Sequence, residues 1–303
     1  MAKIAAENLR METVKKLIFR KFGQITDYLN AVRARARVKR YVMSGRKPWT
    51  TGYNEYKEKA IGNALRDQDL LKRFMHNRKL PTNYGFGIDE RVIEYGWVLS
   101  RLAGAKHYLM DAGSTLNYPY ILDQPAILCR SIVVYNITPG NVIRRSNVSY
   151  IYGDLKRTIL RSECFDEIVC ISVLEHIGMN NTFLYSKDPT FNEFKPDDYQ
   201  TVIREFKRLL KPGGKLFITV PYGRYENHGW LQQFDYSMIE KVCEVFNGSF
   251  SKVVYYKYFA DGWQVADADT CAKCSYFDIH NRSDYEHDFV AAARAIACIE
   301  MIK

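Results

Sequence analysis

The chain of 303 residues predicts an α/β protein with a mostly parallel sheet wound on both faces, and three observations lead there. From residue 88 to residue 220, short apolar runs of strand length alternate with stretches whose apolar residues recur at helical spacing. Pro212-Gly213-Gly214 separates the strongest helix pattern from the strongest strand pattern. Hydrophobic residues make up 47% of the chain, enough for a packed core, yet no run approaches the roughly 18 apolar residues that span a bilayer.

The alternating region begins with Ile88, Val92, Tyr95, Leu99 and Leu102 on one face of a helix. Strands are expected over residues 108–111, 132–135, 148–152, 167–171 and 215–220. A helix over 197–211 buries Val202, Ile203, Phe206, Leu209 and Leu210, with Asp197 and Asp198 at its positive end and Lys207, Arg208 and Lys211 at its negative end. Right-handed crossovers then make the sheet doubly wound, and ligands bind beyond the carboxyl ends of its strands.

The N-terminal region reads differently. Met11, Val14, Ile18 and Phe22 suggest a helix over 4–22, Tyr28, Leu29 and Val32 lead a second one into the run from Arg33 to Arg40, and a third is expected around 54–75. Breaks at Ser44-Gly45-Arg46-Lys47-Pro48 and at Pro81 divide the chain into a helical extension, 1–80, and a catalytic-type domain, 81–303. Of the net charge of +10, the first 82 residues hold 20 Lys and Arg against 7 Asp and Glu. Such a basic extension favours an anionic partner: a membrane surface, through residues 1–50, or nucleic acid. Seven cysteines in apolar surroundings suit reduced thiols, and no secretory signal is evident, so a cytoplasmic protein is expected, peripheral at the inner membrane face if the extension binds there.

The residues following the strands are Asp111-Ala-Gly113-Ser114-Thr-Leu-Asn117, Asn136, Gly153-Asp154-Leu155, Ser172-Val-Leu-Glu175-His176 and Pro221-Tyr222-Gly223. Gly153-Asp154-Leu155, followed by Phe165 to Ile177, and the run from Phe206 to Pro221 stand in the order and spacing of a class I S-adenosylmethionine-dependent methyltransferase. The segment from about Ile88 to Lys303 resembles that family. The resemblance implies a Rossmann-like fold, methyl transfer as the activity and S-adenosylmethionine as cofactor. Its cofactor residues would be Asp111, Gly113, Ser114, Asn117, Asn136, Asp154, Leu155 and Ser172. Gly113 admits close backbone approach. Asp111 would face the ammonium group, Asn136 the ribose and Asp154 the adenine amino group. The chain departs from the family pattern where Thr115 and Asn117 replace loop glycines and where Asn136 replaces a ribose-binding acid.

His176 and His228 are the candidate general bases, and Asp166 reads as structural. No catalytic metal is expected, because Ser172 stands where related metal-dependent O-methyltransferases have an acid. Cys271 and Cys274 lack a ligand set of four and read as loop cysteines. The loops 178–196 and 222–230, with Trp263 and Gln264, are expected to build the acceptor pocket, and Tyr185, Tyr222, Trp230 and Trp263 suit sugar rings. Gly45 to Trp49 and Gly87 to Arg91 are similar to bacterial methyltransferases of surface-polysaccharide synthesis, which points to O-methylation of a sugar hydroxyl in a surface glycan or its precursor. Two alternatives stay open: a nucleic-acid methyltransferase, and a non-catalytic S-adenosylmethionine-binding protein.

Overall fold

A computed structural model describes residues 28–102, 107–185, 188–282 and 284–303. The helix expected over 4–22 lies outside the described residues. Contacts divide the chain into two compact units, 1–57 and 58–303.

In the first unit, a helix covers 28–43. Its Tyr41 packs against Tyr53 and Tyr56 at ring distances of 5.9 and 5.2 Å, and Arg37 Nε pairs with Glu55 Oε1 at 2.5 Å. Tyr28, Leu29, Val32 and Met43 are exposed among the basic residues.

Among its described residues the second unit carries ten strands: β1 (Tyr108–Ala112), β2 (Ser131–Asn136), β3 (Val148–Tyr152), β4 (Phe165–Ile171), β5 (Leu210–Pro221), β6 (Glu226–Asn227), β7 (Gln232–Gln233), β8 (Phe250–Phe259), β9 (Gly262–Ala266) and β10 (Ala295–Ile302). Eight form one sheet in the order β3-β2-β1-β4-β5-β10-β8-β9, and β6 pairs with β7. The first five run parallel, as expected, while β10 is antiparallel to both β5 and β8. Met110, Ile168, Leu216 and Ile218 share a core with Val202, Ile203 and Phe206 of the helix Tyr199–Leu209. On the alternate residues, Phe217 meets Trp97 of the helix Arg91–Arg101 edge to face at 6.0 Å. Helices therefore cover both faces, which explains why β1 and β4 are almost wholly buried.

Two expectations change. The helix expected over 54–75 is two, Tyr53–Ala64 and Gln68–Met75, because the Asp67 carboxylate caps a new start by accepting from Asp69 N and Leu70 N. The boundary expected at Pro81 also shifts, since residues 68–80 are tied into the second unit. Arg101 Nη1 donates to Phe74 O at 3.1 Å, the Phe74 ring occupies the space a side chain at Gly96 would need, and Leu80 N donates to Gln264 Oε1 at 3.0 Å.

Candidate active site

The carboxyl ends of β1 to β4 lie along one edge of the sheet, laced together by backbone bonds. Gly113 N donates to Tyr135 O at 2.8 Å, Gly153 N to Asn136 O at 2.9 Å and Ser172 N to Thr219 O at 3.0 Å. Above this edge a cavity of about 250 Å³ gathers five predicted residues, Gly113, Asn136, Asp154, Leu155 and His176.

Gly113 has φ +99°, and a Cβ there would strike the Val173 side chain. Ser114 follows at φ +64°, a strained value for a residue with a side chain. The loop is held by polar groups instead of further glycines. Asp111, fully buried, accepts from Thr115 N at 3.0 Å, Thr115 Oγ1 at 3.1 Å and Leu116 N at 2.9 Å. Asn117 donates to Asn141 O at 2.7 Å and to Ser114 Oγ at 3.3 Å, and accepts from the Tyr150 hydroxyl at 2.8 Å. Thr115 and Asn117 thus brace the loop where the family pattern has glycine. Asp111, expected to face a ligand ammonium group, accepts hydrogen bonds at both oxygens from within the loop, and burial raises its carboxyl to about 7.

Ser172 is likewise turned inward. At φ +43° it donates from Oγ to Glu94 Oε1 at 2.6 Å, and Thr219 Oγ1 donates to the same oxygen at 2.7 Å. Arg91 Nη1 binds the other Glu94 oxygen at 2.8 Å. Ser172 and Asn117 do not line the cavity. They act as supports.

Asn136 and Asp154 do line it. Asn136 Nδ2 donates to Thr138 O at 3.1 Å, which directs its carbonyl oxygen elsewhere. Asp154 Oδ1 accepts from Lys156 N at 2.8 Å. Lys156 Nζ pairs with Glu193 Oε1 at 2.5 Å and with Asp198 Oδ2 at 3.3 Å, and so fastens the segment carrying Thr190 and Phe191 beside the cavity.

His176 stacks on Trp230 at 5.2 Å and places Nδ1 2.9 Å from the Trp230 carbonyl oxygen. A carbonyl can only accept, so Nδ1 bears the proton and Nε2 the lone pair. Burial lowers the imidazole to about 4, so it is neutral at ordinary pH. Next to it, Asn181 Nδ2 donates to His176 O at 2.7 Å, while its buried Oδ1 has no partner.

His228 is elsewhere, in a separate depression with Gly229, Trp230, His280 and Asn281. Its ring nitrogens face Glu226 Oε2 at 3.3 Å and Asp278 Oδ2 at 3.5 Å. Of the aromatic residues expected at the acceptor pocket, Tyr185 lines the first cavity and Trp230 the second. Tyr222 and Trp263 are buried, packing on Tyr255 and Tyr258, and Trp263 Nε1 donates to Ile88 O at 2.9 Å. Gln264 is bound to Leu80. Tyr222 and Trp263 belong to the core and half-buried Gln264 to a contact with Leu80, a correction that follows from their place in or against the antiparallel strands.

Asp166 is structural, accepting from Tyr108 N and pairing with Lys211. Cys271 and Cys274 are buried, and burial raises Cys271 to about 12. Lys156, Asn181 and Glu94 were not predicted. Lys156 directly follows Asp154-Leu155, but its acidic partners are about forty residues away in sequence, and Glu94 shows only as a charge on an otherwise buried helix face.

Residues 126–218 match the model of a methyltransferase domain. No curated protein matches the chain. Similar solved structures include an S-adenosylmethionine-dependent methyltransferase from Mesorhizobium loti (10% identity, 69% of this chain and 98% of that one, TM-score 0.40). Another, from Methanosarcina mazei, is 12% identical over 67% of this chain and 96% of that one, with TM-score 0.38. The 1,6-didemethyltoxoflavin-N1-methyltransferase of Burkholderia thailandensis, solved with S-adenosylhomocysteine, is 13% identical over 80% of this chain and 88% of that one, with TM-score 0.40. Over residues 126–218 the chain is thus similar to a methyltransferase domain, for which S-adenosylmethionine is the cofactor.

Proposed function

We propose that the protein methylates a sugar hydroxyl, in a surface glycan or its precursor, with His176 as the base. The observation that carries this reading is the His176 tautomer: Nδ1 is committed to the Trp230 carbonyl, and the ring lines the cavity with an unprotonated Nε2. A hydroxyl acceptor needs such a group, because its proton must leave as the new bond forms.

The residues present fit the methyl donor. The orphaned Asn181 Oδ1 offers a hydrogen-bond acceptor at the cavity. Asn136 would hold the ribose, Asp154 the adenine amino group, and Gly113 with Leu155 the nucleoside faces. S-adenosylmethionine, when bound, supplies an electrophilic methyl group. Asp111, Ser114, Asn117 and Ser172 keep the loops in position, which matters because in-line displacement depends chiefly on alignment. His176 Nε2 then takes the proton of the hydroxyl. Incubation with S-adenosylmethionine and glycan fragments, followed by mass spectrometry, should find the methyl group on a sugar oxygen. Transfer only to nitrogen or to nucleic acid would overturn the reading.

In the same proposal residues 1–50 rest on an anionic membrane. Helix 28–43 supports this by exposing Leu29, Val32 and Met43 among Arg33, Arg35, Lys39 and Arg40. No helix of the described residues is long and apolar enough to cross a membrane. Co-sedimentation with phosphatidylserine vesicles should be strong at low salt and fade at 1 M salt, where the Debye length is about 3 Å. Failure of the intact chain to sediment at low salt rules the docking out.

A further inference from the structure

The depression on the other side of Trp230 contains charged groups that are already satisfied. Asp278, 3% exposed, accepts from His280 N at 3.0 Å, Asn281 Nδ2 at 2.7 Å and Trp230 Nε1 at 3.2 Å, and faces His228 Nδ1. Glu226 receives Tyr276 N at 2.9 Å and Arg224 Nη2 at 2.9 Å, and faces His228 Nε2. Each carboxylate orients the rings and amides around it and has little left to give an incoming cation. An incoming carboxylate or phosphate would meet both of these acids.

Two neutral amides, Asn180 and Asn281, line the depression beside His228, Trp230 and His280. Asn180 Oδ1 accepts from Thr182 N and Oγ1, so its Nδ2 is the donor available to a ligand. Asn281 spends Nδ2 on Asp278, so its Oδ1 is the available acceptor. Trp230 and His280, edge to face at 5.5 Å, add aromatic surface. A donor, an acceptor and an aromatic wall, held by buried carboxylates about a space of about 290 Å³, match the alternating hydroxyl edge and apolar face of a pyranose. Through Trp230 the depression adjoins His176, whose ring lines the other cavity.

We infer that this depression binds one uncharged sugar ring of the acceptor, next to the sugar that is methylated. The inference rests on the carbohydrate reading of the acceptor and adds a second subsite to it. Saturation-transfer NMR with the methyl glycosides of glucose, galactose and mannose tests it on the full-length protein. At least one glycoside should bind, with an affinity unchanged by sodium chloride. Asn281→Ala and, as a second variant, His280→Phe should weaken that binding at least about fivefold, while S-adenosylmethionine affinity by calorimetry and the melting temperature stay near wild type. Glycoside binding that both variants retain, but that Asn181→Ala removes, overturns the subsite and leaves the carbohydrate reading standing. No glycoside binding, or salt-sensitive preference for glucosamine or glucuronate over the neutral sugars, overturns the subsite. Should methyl transfer to a sugar fail as well, the carbohydrate reading falls with it.

Discussion

His176 and His228 stand on the two loops that meet at Trp230, one following β4 and the other following β5. His176 gives one nitrogen to a backbone carbonyl, and its residue lines the cavity together with Asn136 and Asp154. His228 sits between Glu226 and Asp278, with a carboxylate oxygen near each nitrogen. One residue type, equally attractive in sequence, meets a backbone carbonyl in one loop and two carboxylates in the other. The difference lies in what occupies the second nitrogen.

The most direct way to break this comparison is to remove each ring. His176→Ala should lower turnover by about 10² to 10⁴, the range for a true general base, with S-adenosylmethionine affinity nearly unchanged. His228→Ala should raise the acceptor KM and leave kcat within about tenfold. Steady-state kinetics on the unmethylated sugar acceptor would show it, and the reverse pattern would exchange the two roles.

Two carboxylates sharpen the same contrast between contact and support. Asp154 lines the cavity, so Asp154→Ala should weaken S-adenosylmethionine by about 1.5 to 3 kcal/mol, the range for hydrogen bonds to charged groups. Folding should survive. Asp111→Ala instead orphans Thr115 N and Leu116 N in a buried loop, and should cost about 1 to 3 kcal/mol of stability. Calorimetry with thermal melts separates the two. An Asp111 variant that melts normally yet loses affinity would restore it as a ligand contact.

The parallel half of the sheet was legible because each strand is a compact apolar run followed by a turn. Asn136, Asp154 and His176 could be found by asking which polar residue follows each strand. The same rule brought in Asp111, Asn117 and Ser172, since position after a strand does not tell whether a side chain points up to a ligand or sideways to a neighbour. Ser172 turns to Glu94, 78 residues earlier, a partnership without local trace. Strands β8, β9 and β10 went unread. With β10 buried between β5 and β8, Trp263 and Tyr222 pass into the core, although both look like acceptor-loop aromatics in sequence.

The acids behind the two histidines should also separate by pH. Around Glu175, beside His176, burial pushes the carboxyls up, and Glu90 reaches about 8 with Asp89 and Glu94 adding to the shift. Around His228, burial opposes ionisation of Glu226, but hydrogen bonds from Tyr276 N, Arg224, Ser275 and His228 outweigh it and hold its carboxyl below the ordinary value. A raised carboxyl keeps a proton in the folded chain that the unfolded chain has lost, so stability declines as pH climbs from about 4.3, the free glutamate value, towards 8. A lowered one contributes stability above its free value that is lost as pH falls through the folded value. Melting temperature should therefore fall from pH 5 through about pH 8, where Glu90 titrates, and Glu90→Gln should make that limb shallower. Glu226→Gln should flatten only the acid limb below about pH 4.3, the free glutamate value. Melts across this range would decide it: if Glu90→Gln leaves the slope of the neutral-to-alkaline decline unchanged, Glu90 is already ionised at neutral pH, and its part in the electrostatic contrast between the two loops is gone.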